Sequence, residues 1–306
     1  MATSCSTWSE RIVQLVRMMN SFHAEGSSKA HCSQFCVAGH QVGYVLPQVL
    51  KQLCRFPDVF RIIEKPDDIS RLELVPELTT YEQRSAAMQY VLEKLKAEDY
   101  FPCLKQWRNE MYDVMPQFSD PPLFCMERAA TSLFGVKRYG VHINGFVRQD
   151  NKEIAMWIAR RSYCKQTYAG LLDNLAAGGL ASGMGIRETL IKECQEESCI
   201  PESLAARAVP VSTISYTYED ERGIFPECQF VYDLEVPIDF VPRVGDGEVH
   251  EFYLWPLDKV KEAIASPDFK PNCSLVVLDF LIRHGYLDAD TEKHYQTFVE
   301  GIHKTL

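Results

Sequence analysis

The chain has 306 residues, room for one large or two modest domains. Apolar residues make up 46% and charged residues 24%, the balance of a folded globular protein and not of a disordered tail. A formal net charge of −10 argues against nucleic-acid and membrane-surface partners, and no run approaches the ~20 apolar residues of a membrane span.

The first 22 residues carry arginines and an amphipathic pattern, which leaves a mitochondrial address as a weaker reading. Ile12, Val13, Leu15, Val16 and Met19 fit a core-facing helix better, so residues 9–23 are expected to be helical. Cysteines scattered without secretory spacing, many in apolar strings such as those around Cys54 and Cys228, point to reduced thiols and a cytoplasmic protein. Residues 24–34 read as a polar Gly/Ser linker. His31, Cys32, Cys36 and His40 invite a zinc reading, but Val37 to Pro47 reads as a turn into a strand at 41–46, which disfavours the metal. Pro47 opens a short helix to residue 56. Residues 60–64 and 71–75 predict a strand pair, and Thr80 caps a helix running to about residue 98. Residues 107–114 predict a strand whose Trp107, Arg108, Asn109 and Tyr112 either line a pocket or are simply half-buried; the second reading is preferred. A Pro-rich break at 116–122 and a short helix at 127–133 close a smaller α+β N-terminal domain, residues 1–130.

In the second domain, residues 131–306, strands at 139–147 and 154–160 flank a turn at Gln149-Asp-Asn. A glycine-rich loop leads into a helix at 186–198, stopped by Pro201. Strands at 212–218 and 227–236 pair antiparallel across residues 219–223. A strand at 249–255 and helices at 257–265 and 275–284 follow. The order of elements alone says α/β.

Glu193, Glu196 and Glu197 fall on one face of the 186–198 helix. Like charges so spaced destabilise a bare helix by a few tenths of a kcal/mol per pair, so a cation over that face is expected. Mg²⁺ suits it, because it takes carboxylate and phosphate oxygens together. Arg160, Arg161 and Lys165 form a basic cluster suited to phosphates.

The run Gly178–Ile200, GGLASGMGIRETLIKECQEESCI, resembles the Nudix hydrolase signature G-x5-E-x7-R-E-U-x-E-E-x-G-U, U being aliphatic. Met184 replaces its first Glu, Lys192 its Arg and Cys199 its late Gly. The flanking runs Gly140-Val-His-Ile-Asn-Gly-Phe, Lys165 to Gly179 and Asp246-Gly-Glu-Val-His-Glu-Phe are similar to a subfamily labelled thiamin pyrophosphokinase-related, which sets an N-terminal domain of its own before the Nudix domain. The resemblance implies an α/β/α sandwich over a mixed sheet and hydrolysis of a small-molecule diphosphate with Mg²⁺, Mn²⁺ being a possible substitute. It implies Gly178, Glu193, Glu196, Glu197 and Glu248 as metal ligands. Of these, the four glutamates also form the catalytic set, with Glu248 as base or distal ligand and Glu251 as runner-up; His250 between them is expected to point away. Arg160, Arg161, Lys165, Asp173 and Asn174 are the candidate substrate contacts, and Tyr216, Tyr218, Phe225 and Trp255 the candidates for the organic moiety. The implied substrate is thiamin diphosphate or an oxidised or damaged analogue. The alternatives are an oxidised nucleoside diphosphate such as 8-oxo-dGDP, another nucleoside-diphosphate-linked compound, or a non-catalytic ligand-binding module. An isoprenoid diphosphate isomerase would want a Cys within 172–177, which holds none, and a kinase would want a phosphate loop ending in Lys-Ser/Thr, also lacking.

Overall fold

The computed structural model describes residues 6–63, 70–149 and 153–306. Helix α1 (Trp8–Met18) starts at a capping box in which Thr7 and Glu10 each bond the other's backbone N–H, and it buries Ile12, Val13 and Val16. Strands β1 (Ser33–Val37), β2 (His40–Val45), β3 (Phe60–Ile63) and β4 (Arg71–Leu74) make a sheet of order β2-β1-β4-β3, with β1 and β4 parallel. The residues weighed as zinc ligands run into β1 and its tight turn to β2, where Ala38 and Gly39 take positive φ. Helix α2 (Pro47–Leu53) has Pro47 at its first turn, and α3 (Tyr81–Ala97) is capped by Thr80 and Gln83. Strands β5 (Met111–Val114) and β6 (Phe124–Glu127) pair antiparallel. Phe35, Leu53, Leu72, Leu92, Phe124 and Phe134 are fully buried in the core these elements share. Only the second half of the strand expected at 107–114 forms. Asn109 takes φ +56°, a left-handed turn that ends extended pairing and leaves Trp107 and Arg108 in a loop.

The second half holds β7 (Arg138–Arg148), β8 (Ile154–Arg161), β9 (Leu172–Asp173), β10 (Ala176–Gly179), α4 (Ile186–Ser198), α5 (Glu202–Ala205), β11 (Val209–Asp220), β12 (Gly223–Glu235), β13 (Val249–Pro256), α6 (Leu257–Ile264), α7 (Pro271–Arg283) and α8 (Tyr295–Gly301). Its mixed sheet runs β11-β12-β7-β8-β13; β7 and β12 are parallel and the other pairs antiparallel. Strand alternation gives the sheet two apolar faces. Val141, Ile143, Ala155, Trp157 and Leu234 pack with α4, while Phe146, Met156, Ile158 and Val231 pack with α6 and α7. The expected α/β/α sandwich is therefore observed. The turn foreseen at 149–151 lies largely outside the described residues.

The boundary expected at residue 130 needs an amendment. The buried stripe of α1 belongs to the second core, beside α7 and α8, and Asn20 bonds the Gly301 carbonyl at 2.8 Å. The first core in turn extends to Val136. An amphipathic helix reads the same in either domain, so its pattern could not say which face it would cover.

One feature of the sheet positions the site. The near half of β7, Gly140–Ile143, pairs with β10, and the far half, Phe146–Arg148, pairs with β8. The fork between β8 and β10 brings the glycine-rich end of β10 and the start of the loop to α4 against the middle of the sheet.

Candidate active site

At that fork, where the second half of the chain meets the 107–132 region of the first, lies a cavity of about 720 Å³. Its acidic end holds Gly178, Glu193, Glu196, Glu197 and Glu248. Tyr216, Tyr218, Phe225 and Gln229 from the β11–β12 pair also line the cavity. Trp107, Arg108, Tyr112 and Arg128 come from the first half of the chain.

Glu193 and Glu197 face the cavity from α4 because they lie four residues, about one turn, apart. Glu197 is almost fully buried and accepts one hydrogen bond, from the Ala177 N–H at 3.0 Å. Burial pushes its pKa well above the usual carboxylate range, and the charges of Asp173 and Glu193 push it further. Burial also raises Glu193, with Glu196 and Glu248 adding to the effect against the opposing pull of Lys192. Gly178 is required beside it: a Cβ there would stand 2.1 Å from the Glu193 carboxyl carbon. Lys192 lies 3.3 Å from Glu193 and 2.8 Å from Glu196, spanning the two. Burial pulls Glu248 upward too, but its ion pair with Lys165, helped by Arg161 and Arg128, holds it below its usual value.

No three His, Cys, Asp or Glu side chains among the described residues converge tightly enough to form a ready-made metal cluster. The donor chemistry nevertheless fits a hard divalent ion. Two desolvated carboxylates repel one another, a third and a fourth are neutralised only by lysines, and all are oxygen donors of the kind Mg²⁺ prefers. A cation among them would reverse the penalty that lifts the pKa values of Glu193 and Glu197.

Beneath the site lies a buried ionic network. Asp173 accepts from Arg161 Nη1 at 2.9 Å, Lys270 Nζ at 3.1 Å, Cys273 Sγ at 2.6 Å and, through Oδ1, the Asn174 N–H at 2.8 Å. Burial alone would raise its pKa, but the charges of Lys270 and Arg161 hold it far below the usual carboxylate range. Asn174 Oδ1 accepts from His142 Nδ1 at 2.8 Å, which fixes that imidazole as the neutral Nδ1–H form; burial lowers its pKa to about 4.

Met184, standing where the signature has its first Glu, offers the loop before α4 no carboxylate. Asp113 of β5 braces it instead. Its carboxylate accepts from Ser182 Oγ at 2.7 Å, the Gly183 N–H at 3.1 Å and Tyr81 OH at 2.8 Å. The brace therefore comes from the first half of the chain. At the other end of α4, Cys199 takes φ +53°, the left-handed helix stop that a glycine adopts without strain.

The structure places the candidate substrate contacts differently from one another. Arg161 and Lys165 line the cavity. Arg160 lies outside it, forked onto Asp268 at 3.0 and 3.1 Å and onto the Gly170 carbonyl at 2.7 Å, because adjacent strand residues face opposite ways. Asp173 and Asn174 are buried behind the cavity wall and not on it. Glu251 bonds Tyr253 OH on the sheet's outer edge, and His250 packs beside Tyr163, so neither lines the cavity. Trp255 stacks on Tyr253, away from Tyr216, Tyr218 and Phe225. Lys270, Arg128, Arg138 and Gln229 also line the cavity and were not foreseen. Glu227 on β12 carried a signal, since an acid in a strand this apolar wants a buried partner, and Arg138 supplies it.

An α/β/α sandwich with a carboxylate-lined cavity is the setting expected of a hydrolase that works on diphosphates. Comparison with known proteins agrees. The family described as "NUDIX domain" matches residues 138–273, and "Domain of unknown function (DUF4743)" matches residues 11–138. The chain is 39% identical over 269 residues to Nudix hydrolase 20, chloroplastic, of Arabidopsis thaliana, covering 86% of this chain and 71% of that protein. It is 40% identical to Nudix hydrolase 24, chloroplastic, of the same plant, covering 84% and 69%. Among solved structures, the NUDIX domain of a Shewanella oneidensis protein complexed with ADP ribose is 15% identical with a TM-score of 0.38, covering 50% of this chain and 91% of that one. The chain belongs to the Nudix hydrolase family, enzymes that cleave pyrophosphate bonds and generally use divalent metals. No helix among the described residues is long and apolar enough to cross a membrane.

Proposed function

We propose that the protein is a Mg²⁺-dependent diphosphatase that hydrolyses thiamin diphosphate, or an oxidised or damaged analogue, to the monophosphate and phosphate. The observation that carries this reading is the mixed lining of the cavity: a carboxylate cluster against a glycine backbone, together with aromatic side chains of the β11–β12 pair. Tyr216, Tyr218 and Phe225 supply aromatic surface against which a flat heterocycle, such as an aminopyrimidine, would pack. The sequence similarity of the flanking runs to the thiamin-related subfamily supports the same substrate.

In this mechanism Glu193, Glu196, Glu197 and the Gly178 carbonyl would hold the ion. The ion would neutralise phosphoryl oxygens and lower the pKa of an attacking water. Glu248, kept ionised by Lys165, takes the water's proton as it attacks phosphorus. Arg161, held in place by Asp173, and Lys165, paired with Glu248, turn positive charge toward the diphosphate oxygens. Tyr112 closes the cavity over Gly179, whose missing Cβ leaves room for the phenol oxygen. Desolvation then strengthens each of these charge contacts.

The test is phosphate release from thiamin, oxo-thiamin and 8-oxo-deoxyguanosine diphosphates with Mg²⁺ and with Mn²⁺. Preferential turnover of the thiamin compounds is expected. Preference for the oxidised nucleotide would replace the substrate, and binding without turnover of any diphosphate would make the protein a ligand-binding module.

A further inference from the structure

The lysines and arginines on the cavity wall fall into two groups. Nearly all are committed to carboxylates: Arg128 to Glu110 at 2.8 Å, Arg138 to Glu227, Arg222 to Asp220, Arg161 and Lys270 to Asp173, and Lys165 to Glu248. Lys192 spans Glu193 and Glu196. Among the described residues, Arg108 alone of these cations has a side chain with neither a hydrogen-bond acceptor nor an ion-pair partner. It is half-buried, so its guanidinium has lost part of its water without gaining an acceptor. Its surroundings make this worse. Burial lowers its pKa, and the neighbouring Arg128 charge lowers it further; Glu110, Tyr112 and Glu248 offset this only in part.

The loop that presents Arg108 is built, not slack. The Arg108 N–H donates to Glu127 Oε1 at 2.9 Å, and the same fully buried oxygen accepts from the Ala129 N–H at 3.2 Å. One carboxylate thus fixes the backbone at Arg108 and next to Arg128 together. Trp107 Nε1 donates to Asn109 Oδ1 at 2.9 Å across the left-handed turn, and the Trp107 ring carries Lys96 at 4.3 Å. A fixed, partly dehydrated fork-shaped cation with no internal partner is a receptor for an anion.

We propose that Arg108, contributed by the N-terminal unit, is a substrate-binding residue that grips phosphoryl oxygens of the diphosphate opposite Glu248. The identification of the anion rests on the diphosphatase reading above; the anion site itself does not. It gives the N-terminal unit a direct part in recognition: the stretch matched as a NUDIX domain, residues 138–273, carries the carboxylate cluster but not this cation. Glu127 is then a positioning residue, acting through the Arg108 backbone.

The experiment is calorimetric titration of the full chain, with Mg²⁺, with imidodiphosphate, which keeps two phosphoryl groups but resists hydrolysis. Arg108→Gln should weaken binding roughly 10- to 100-fold, as expected for loss of a charge-assisted fork, and Arg108→Lys should recover part of it. Thermal unfolding should be unchanged in both variants, because the side chain holds nothing within the protein. Equal binding by wild type and Arg108→Gln, or no binding by wild type, overturns the proposal. A variant that binds weakly only because its melting temperature has fallen also overturns it, since the side chain would then be structural. Weakened binding in a protein whose wild type turns over no diphosphate upholds the Arg108 site while removing the diphosphatase reading.

Discussion

Asp173→Asn separates two roles that the sequence leaves open. If Asp173 touches substrate, the change should raise KM and leave stability alone. The structure assigns it to a buried ionic network instead, where one carboxylate serves Arg161, Lys270, Cys273 and the Asn174 N–H. An asparagine keeps an oxygen acceptor but removes the charge, leaving two cations close together in a site with little water. Breaking a buried pair in this way costs about 3–5 kcal/mol. Guanidinium unfolding at pH 7 should show a loss of that size. The pH dependence has a definite sign. The folded carboxyl lies below its unfolded value of about 3.9, so its stabilisation is present above that pH and fades as pH falls through the folded value. The wild type should lose its advantage over the variant in acid. A loss under about 1 kcal/mol, combined with a raised KM, would refute the network assignment.

Three further predictions follow the same logic. Gly178→Ala should cut activity at least about tenfold while the fold survives, because the new methyl group would displace the Glu193 carboxylate; wild-type rates would contradict the close approach. His142, buried and neutral, has a folded pKa of about 4 against an unfolded value near 6.5, so stability should fall by up to about 3 kcal/mol as pH drops through that window; His142→Gln should flatten this slope, and an unchanged slope would place the titration elsewhere. Cys199→Gly should stabilise the protein by about 0.5–1 kcal/mol in chemical unfolding, since glycine takes the left-handed stop without strain, and destabilisation would show that the Cys199 side chain is doing something else.

The acidic helix was legible because its spacing is local: Glu193, Glu196 and Glu197 share a face wherever the helix goes. The strands of the main sheet were legible for the same reason, through alternation in segments such as β7 and β12. What escaped depended on distance in sequence. Asp113 bracing the loop, Lys270 meeting Asp173, and α1 crossing to the second core all join residues far apart along the chain. Arg160 and Arg161 read alike as a basic pair, and only the strand's facing sent one inward and the other onto Asp268. Strands β1 and β10, and helix α8, are short or rich in small and polar residues, so their propensities alone are weak. Arg108 falls in a stretch that reads as half-buried strand; what marks it is its place on the cavity wall and the partner its side chain lacks there.

The most direct test of the account is the Mg²⁺-dependent release of phosphate from thiamin diphosphate or its oxo analogue by wild type and by Glu197→Gln, at matched folding judged by circular dichroism. Glu197 is the buried carboxylate at the centre of the proposed ion site. The account predicts metal-dependent turnover by the wild type and at least a roughly 100-fold loss in the variant. Equal turnover by the two proteins would contradict it.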